Sequence, residues 1–282
     1  MTYYLEHSEW VNSTAVPEGM NLKMINHPNR LDTLLKPELA KMSLNNIVMD
    51  MGAGTGILGM YALEHGASFV YFVERDPQMF HILSNVLPKK IDPGKYKLIN
   101  KDIEELDASD FENGLPDVVI SEFYGPRLFD EGYVNYVKHV KSFSPNSKFI
   151  PECFNVDFYY IPIDLSHPIW PQDETLVDHF KFMYSEKGFA QHIEYDFSKL
   201  SPLGKITYDT NTQKFDNDLT LVHSADTECL LIGKATIMHG VTCQYYTTLG
   251  WYMDPKDIGK TFKIYYDTEN YFNPRKIEVN VQ

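Results

Sequence analysis

The sequence predicts a chain in two parts: an α/β domain built on a mostly parallel sheet, then an antiparallel, β-barrel-like domain. Three observations carry that prediction. From residue 46 onward, short apolar runs alternate with helix-like stretches, the pattern of parallel strands joined through crossover helices. A glycine-rich turn, MGAGTG, directly follows the first of those runs. Around Pro151 the pattern changes to β-branched and aromatic runs separated by short turns, the habit of an antiparallel sheet or barrel. The expected division is therefore residues 1–150, opening helices plus α/β domain, and 151–282, the β-rich domain.

Each element follows in order. Residues 1–45 are mixed and helix-like, without a strong strand. NIVMDMGAG is a buried strand entering the glycine turn, and ILGMYALEHGA is the helix after it, closing near Gly66. FVYFVE is a second strand with Glu74 at its end. DPQMFHILSNVL is a helix with Asp76 as N-cap and Pro77 at its first position, the residue types that those places favour. YKLINKD is a third strand, DVVISEF a fourth, and EGYVNYVKHVKSF the helix that follows. In the second half FNVDFYYIPI, LTLVH, CLLIGKATIMHG, QYYTTLGWYM, TFKIYYD and KIEVNV read as strands, with helix expected only over roughly 173–190. No internal repeat or low-complexity tract interrupts them.

The bulk composition narrows the function classes. A length of 282 residues supports one large domain or two small ones. Hydrophobic content of 43% with 23% charged residues fits a globular protein. No apolar run reaches the roughly 18 residues of a membrane span. The opening MTYYLEHSEW lacks the basic and apolar regions of a secretory signal. A cytoplasmic protein without a membrane partner is expected. The 39 acidic against 25 basic side chains give a net charge of −14, which disfavours direct nucleic-acid binding and favours basic partners. Three widely spaced cysteines, with no C-x-x-C and no H-E-x-x-H, predict neither disulfides nor a metal site.

The glycine turn bears the chemistry. Gly52, Gly54 and Gly56 stand between a strand and a helix, where glycine lets the backbone pass close to a ligand and the helix start offers free N–H groups. Glu74 ends the next strand, where a carboxylate can take both hydroxyls of a ribose. A nucleoside-bearing cofactor is expected. The spacing departs from the dinucleotide fingerprint G-x-G-x-x-G, and Asp50 sits two residues before the first glycine. An acid there suits a ligand with a positive amino group better than one with a pyrophosphate, and S-adenosylmethionine carries an ammonium and a sulfonium but no phosphate. At the end of the third strand, Ile103 is placed to pack on an adenine and Glu104 or Asp102 to accept from its amine. A plain polar strand end would read the same way.

A second stretch, SEFYGPRLFDE, puts Glu122 and Glu131 nine positions apart across a turn. Alone, they read as two solvated charges at a strand end. With VMDMGAGTGIL, SEFYGPRLFDE and SPNSKFIPECF together, the chain resembles the protein arginine methyltransferases, most closely over about 45–155. The resemblance implies a Rossmann-like methyltransferase domain followed by a β-barrel-like domain, and S-adenosylmethionine as cofactor. It implies that Asp50, Gly52 and Gly56 line the methionine part, Glu74 holds the ribose, and Ile103 and Glu104 flank the adenine. Met24 and Arg30 match a family Met and an Arg that pairs with the cofactor carboxylate. Glu122 and Glu131 become a catalytic pair clamping an arginine or guanidino group, and a homodimer is implied.

Departures from the family pattern fall on the acceptor side. Phe123 and Tyr124 replace Trp and Met, and Pro126 and Arg127 replace other residues. The closing Thr-His-Trp loop corresponds to Gln244-Tyr245-Tyr246, so Tyr124, Tyr245 and Tyr246 are expected to face substrate. Residues 165–215 have room for a short dimerisation insertion. Three acceptors or roles stay open: a basic protein or free guanidino compound, a small-molecule amine, or a non-catalytic cofactor-binding relative.

Overall fold

Ile47–Met51 (β1), Phe69–Val73 (β2), Tyr96–Ile99 (β3), Val118–Ser121 (β4) and Lys148–Ile150 (β5) form a parallel sheet in the order β3-β2-β1-β4-β5. The computed structural model describes residues 35–123, 132–163, 189–190, 196–217, 219–239 and 242–264, with side chains at 189–190 and 242–250 outside that description. The chain divides into two compact units. The first comprises Met1–Phe123, Asn135–Glu152 and His239–Gln244, and the second Tyr124–Val134, Cys153–Met238 and Tyr245–Gln282.

In the first unit β4 is buried at every position, and β1 and β2 at all but their first. Strands so apolar need cover on both faces. Helices Lys36–Ser43 (α1), Ile57–Glu64 (α2), Pro77–Lys90 (α3) and Tyr133–Phe143 (α4) alternate with the strands except between β3 and β4, where two 3-10 turns stand instead. α3 turns Met79, Leu83 and Leu87 inward, a spacing of four. Its start is as expected: the Asp76 carboxylate accepts from the backbone N–H of Gln78 and Met79, both at 2.9 Å, with Pro77 next. On α2, a Cβ at Gly59 would come within 2.3 Å of Cε1 of Phe72. Glycine there lets the helix lie close on β2.

Strand order decides where a ligand can sit. The chain lays β1, β2 and β3 outward in one direction, then returns to place β4 on the other side of β1. The reversal opens a crevice beyond the carboxyl end of β1. Register sets what lines it. Asp50 pairs with Phe72 on one side and Ile120 on the other. Glu74 and Glu122 lie two residues beyond those partners, and a step of two keeps a side chain on the same face of the pleat.

In the second unit Cys153–Pro162 (β6), Phe189–Ala190 (β7), Gly204–Asp209 (β8), Lys214–Asp216 (β9), Cys229–His239 (β11) and Thr242–Met253 (β12) form a curled antiparallel sheet, ordered β7-β12-β11-β6-β8-β9. Leu219–Val222 (β10) and Thr261–Ile264 (β13) form a separate antiparallel pair. The α/β domain and the antiparallel half-barrel are the expected fold class. Phe154, Val156 and Phe158 point inward from β6, and Ile206 and Tyr208 from β8, the alternation of strands with one buried face. Tyr159, Ile161, Phe197, Leu230 and Ile232 form a core cluster.

Four expectations need correcting or limiting. Gln244, Tyr245 and Tyr246 lie within strand β12, as the run QYYTTLGWYM predicts, and not in the closing loop that the resemblance implies. Their aromatic, β-branched surroundings carry the strand through. Of the helix expected over 173–190, Phe189 and Ala190 form strand β7, and the rest lies outside the described residues. Within 165–215 the described residues form β7, a single 3-10 turn at Phe197–Lys199, β8 and the start of β9. β8 pairs with β6 over six residues, so this portion is sheet; residues 164–188 lie outside the description. The third strand stops at Ile99, and Asn100–Asp102 lead into a 3-10 turn, Ile103–Glu105.

Candidate functional site

The sequence IVMDM puts a carboxylate inside a strand, and the fold buries it. Asp50 is only 2% exposed, and its Oδ2 accepts from the backbone N–H of Gly59 at 2.8 Å. Burial, with the charges of Glu122 and Glu74 adding to it, pushes the carboxyl up to about 8 against the partial relief of the Gly59 bond. At neutral pH burial therefore favours the protonated acid. A cation brought beside it would restore the ionised form, so the group favours a positively charged ligand.

Glu74 is also buried, and its two oxygens are each held by backbone. Oε2 accepts from Gly54 N–H and Oε1 from Asp76 N–H, both at 2.8 Å. Burial raises its carboxyl, and those two hydrogen bonds oppose the rise. A carboxylate oxygen can accept more than one hydrogen bond. Two fixed oxygens can therefore still accept from a pair of neighbouring hydroxyls. The Asn100 side-chain amide donates to the Glu74 carbonyl at 2.8 Å, and Glu74 N–H donates to Ile99 carbonyl at 3.0 Å. The ends of β2 and β3 are thus tied together.

The glycine turn passes between these acids. Gly52 and Ala53 both donate to the Val73 carbonyl, and Gly52, Gly54 and Gly56 have φ of +74°, +51° and +72°. Gly52 is needed twice, for its left-handed backbone and for space: a Cβ there would lie 2.0 Å from Cζ of Phe123. Phe123 follows Glu122 at the end of β4. Its N–H donates to Ser121 Oγ at 3.2 Å, and its ring lies 5.3 Å from that of Tyr136.

Of the residues expected to act, the structure brings Asp50, Gly52, Gly54, Gly56, Glu74 and Glu122 to one edge of the first unit's sheet. Ile103, 4% exposed, and Glu104, exposed, sit one strand further out on the 3-10 turn. Met24, Arg30, Tyr124, Arg127 and Glu131 lie outside the described residues. So do the side chains of Tyr245 and Tyr246 on β12. Three contributors were not foreseen as site residues: Phe123 against Gly52, Asn100 on Glu74, and Arg75, whose Nη1 donates to Asp102 Oδ2 at 2.8 Å. Each acts across neighbouring strands, so no local spacing signals it. Among the described residues no group of three or more His, Cys, Asp or Glu is placed to hold a metal, and no helix is long and apolar enough to cross a membrane.

No family model matches the chain. Histone-arginine methyltransferase CARMER of Aedes aegypti is 35% identical over 108 residues, 38% of this chain and 17% of that protein. Protein arginine N-methyltransferase 6 of Xenopus tropicalis is 28% identical over 119 residues, 42% of this chain and 33% of that protein. The match thus spans a third or less of either relative's length. Among solved structures, PRMT6 superposes with a TM-score of 0.67 at 12% identity, covering 94% of this chain and 99% of the other. A Trypanosoma brucei PRMT1 enzyme-prozyme heterotetrameric complex with AdoHcy gives 0.58 at 19% identity, covering 88% of each chain. The chain is thus similar in sequence to protein arginine methyltransferases over about two fifths of its length, and nearly the whole of it shares the fold of solved structures named as such.

Proposed function

We propose that the chain is an S-adenosylmethionine-dependent N-methyltransferase that transfers methyl to an arginine or other guanidino nitrogen. The observation that carries this reading is the line of Asp50, Glu74 and Glu122 at the carboxyl ends of three adjacent strands, around a turn of left-handed glycines. The residues fit the cofactor. Buried Asp50 favours a cation, Glu74 offers two fixed acceptors for ribose hydroxyls, and Ile103 offers an apolar surface beside the polar Glu104. Met24 and Arg30 complete the cofactor set in this reading.

When bound, S-adenosylmethionine supplies a methyl already activated on a sulfonium. The protein's own task is then orientation. Glu122 and Glu131 are assigned to pair with the acceptor guanidinium, which is planar and carries five donors. Its pKa lies too high for easy proton removal, so the two acids align it and draw its charge to one side. One nitrogen is left to face the methyl in line. Phe123, seated on Gly52, fixes the backbone that presents Glu122. Tyr124, Tyr245 and Tyr246 are assigned to the substrate side. The relatives named as histone-arginine and protein arginine methyltransferases, together with the net charge of −14, support a basic protein or peptide as substrate. A cytoplasmic homodimer is the accompanying assignment.

Product analysis tests this. Purified protein is incubated with methyl-labelled S-adenosylmethionine, arginine-rich peptides and free guanidino compounds, then hydrolysed and analysed by mass. Labelled methylarginine is expected. Glu122→Gln should lower its rate by about 10- to 100-fold, the scale of losing a charge-assisted hydrogen bond, while cofactor binding persists. Cofactor binding with label only on a non-guanidino amine would overturn the assigned acceptor.

A further inference from the structure

Arg75 follows the ribose-side acid Glu74 and takes no part in the function above. Its Nη1 donates to Asp102 Oδ2 at 2.8 Å and lies 3.5 Å from the Tyr136 hydroxyl. Asp102 is doubly engaged. Its second oxygen, Oδ1, accepts from Glu104 N–H at 3.0 Å, capping the one-turn helix that carries Ile103 and Glu104. The Glu105 carboxylate in turn reaches back to Asp102 N–H at 3.4 Å, closing a capping box. One carboxylate therefore both orders the turn on the base side and grips a cation rooted beside Glu74. Tyr136 is buried, and its ring packs on Phe123. All of these residues belong to the first unit.

We propose that Arg75 is a positioning residue for base recognition: through Asp102 it holds the Ile103–Glu104 turn at a set distance from Glu74, so that base and ribose of one nucleoside are read together. This rests on the nucleoside-cofactor reading above. The Arg75 side chain is 66% exposed, and exposed ion pairs add little to global stability. The effect of losing it should therefore appear in ligand recognition and barely in unfolding. Glu104 is the group whose placement matters, since an exocyclic amine on the base gives it a donor and a carbonyl at that position does not.

The test is direct binding, with no turnover. S-adenosylhomocysteine and S-inosylhomocysteine, which differ only in the base, are titrated by calorimetry into the wild type, Arg75→Ala and Arg75→Lys. The wild type should prefer the adenosyl ligand. Arg75→Ala should weaken that ligand by about three- to fivefold, the upper scale of an exposed ion pair, and the inosyl ligand by much less, so the preference shrinks. Arg75→Lys should fall between, and thermal unfolding of the free variants should stay close to wild type. Equal weakening of both ligands would make Arg75 merely structural and overturn the proposal. Unchanged adenosyl affinity in Arg75→Ala, or a wild type indifferent to the base, would overturn it too. A wild type that binds neither ligand would overturn the cofactor reading itself.

Discussion

Two residues of the glycine turn region, Asp50 and Gly52, carry consequences that can be measured one side chain at a time. The Asp50 carboxyl has its ordinary value of 3.8 in the unfolded chain and is pushed up to about 8 when folded. An acid with a raised folded pKa makes the native state the tighter proton binder. Stability contributed by this group is full below the unfolded value and is lost as pH rises through that window, by up to about 1.4 kcal/mol per pH unit. Chemical denaturation of the ligand-free protein between pH 5 and 8 should show stability falling with pH, and Asp50→Asn should flatten the profile. A profile as steep in the variant would place the effect elsewhere. Gly52→Ala sets a methyl against Phe123 and strains a left-handed residue. A loss of about 1–3 kcal/mol is expected in urea unfolding. Gly52→Ala combined with Phe123→Ala should recover the steric part and leave the backbone part.

At the scale of elements, the cap of α3 offers a clean case. Asp76→Ala removes a carboxylate that accepts from two backbone N–H groups and should cost about 1 kcal/mol. Because the Asp76 N–H that braces Glu74 belongs to the backbone, the substitution should leave that brace in place. A stability unchanged by Asp76→Ala would mean that solvent replaces the cap. The elements differ in how plainly their residues announce them. β2 and β4 were legible because they are apolar runs followed by an acid, β1 because its mostly apolar run leads straight into the glycine turn, and α3 because cap and proline sit at its start. β8 and β9 were not, since GKITYD and KFD are short and half polar, and only pairing to β6 makes them strands. β5 was hidden inside SPNSKFIPECF, which reads as a connection. The site followed the same division. Asp50, Glu74 and the glycines announce themselves through their places at strand ends. Phe123, Asn100 and Arg75 take their roles from neighbours 71, 26 and 27 positions away, and only the laid-out sheet shows those pairs.

For the whole molecule, the excess of acidic side chains makes an electrostatic prediction under the proposed function. A net charge of −14 attracts basic peptides over distances that salt shortens. Methylation of an arginine-rich peptide at low peptide concentration should slow as ionic strength rises from about 0.01 to 0.15 M, over which the screening length falls from about 30 to 8 Å. A free, small guanidino substrate should be much less affected. Equal sensitivity of the two would remove long-range attraction as the cause.

The buried Asp50 also makes the site a store of one proton. Burial and the neighbouring charges of Glu74 and Glu122 hold that proton on Asp50. A cationic ligand must then evict that proton to water, whereas an uncharged nucleoside leaves it in place. Binding of the first kind would acidify a weakly buffered solution, and its heat would change with the ionisation enthalpy of the buffer. The same Asp50 that lowers stability with rising pH thus turns cofactor entry into a countable exchange of one positive charge for another.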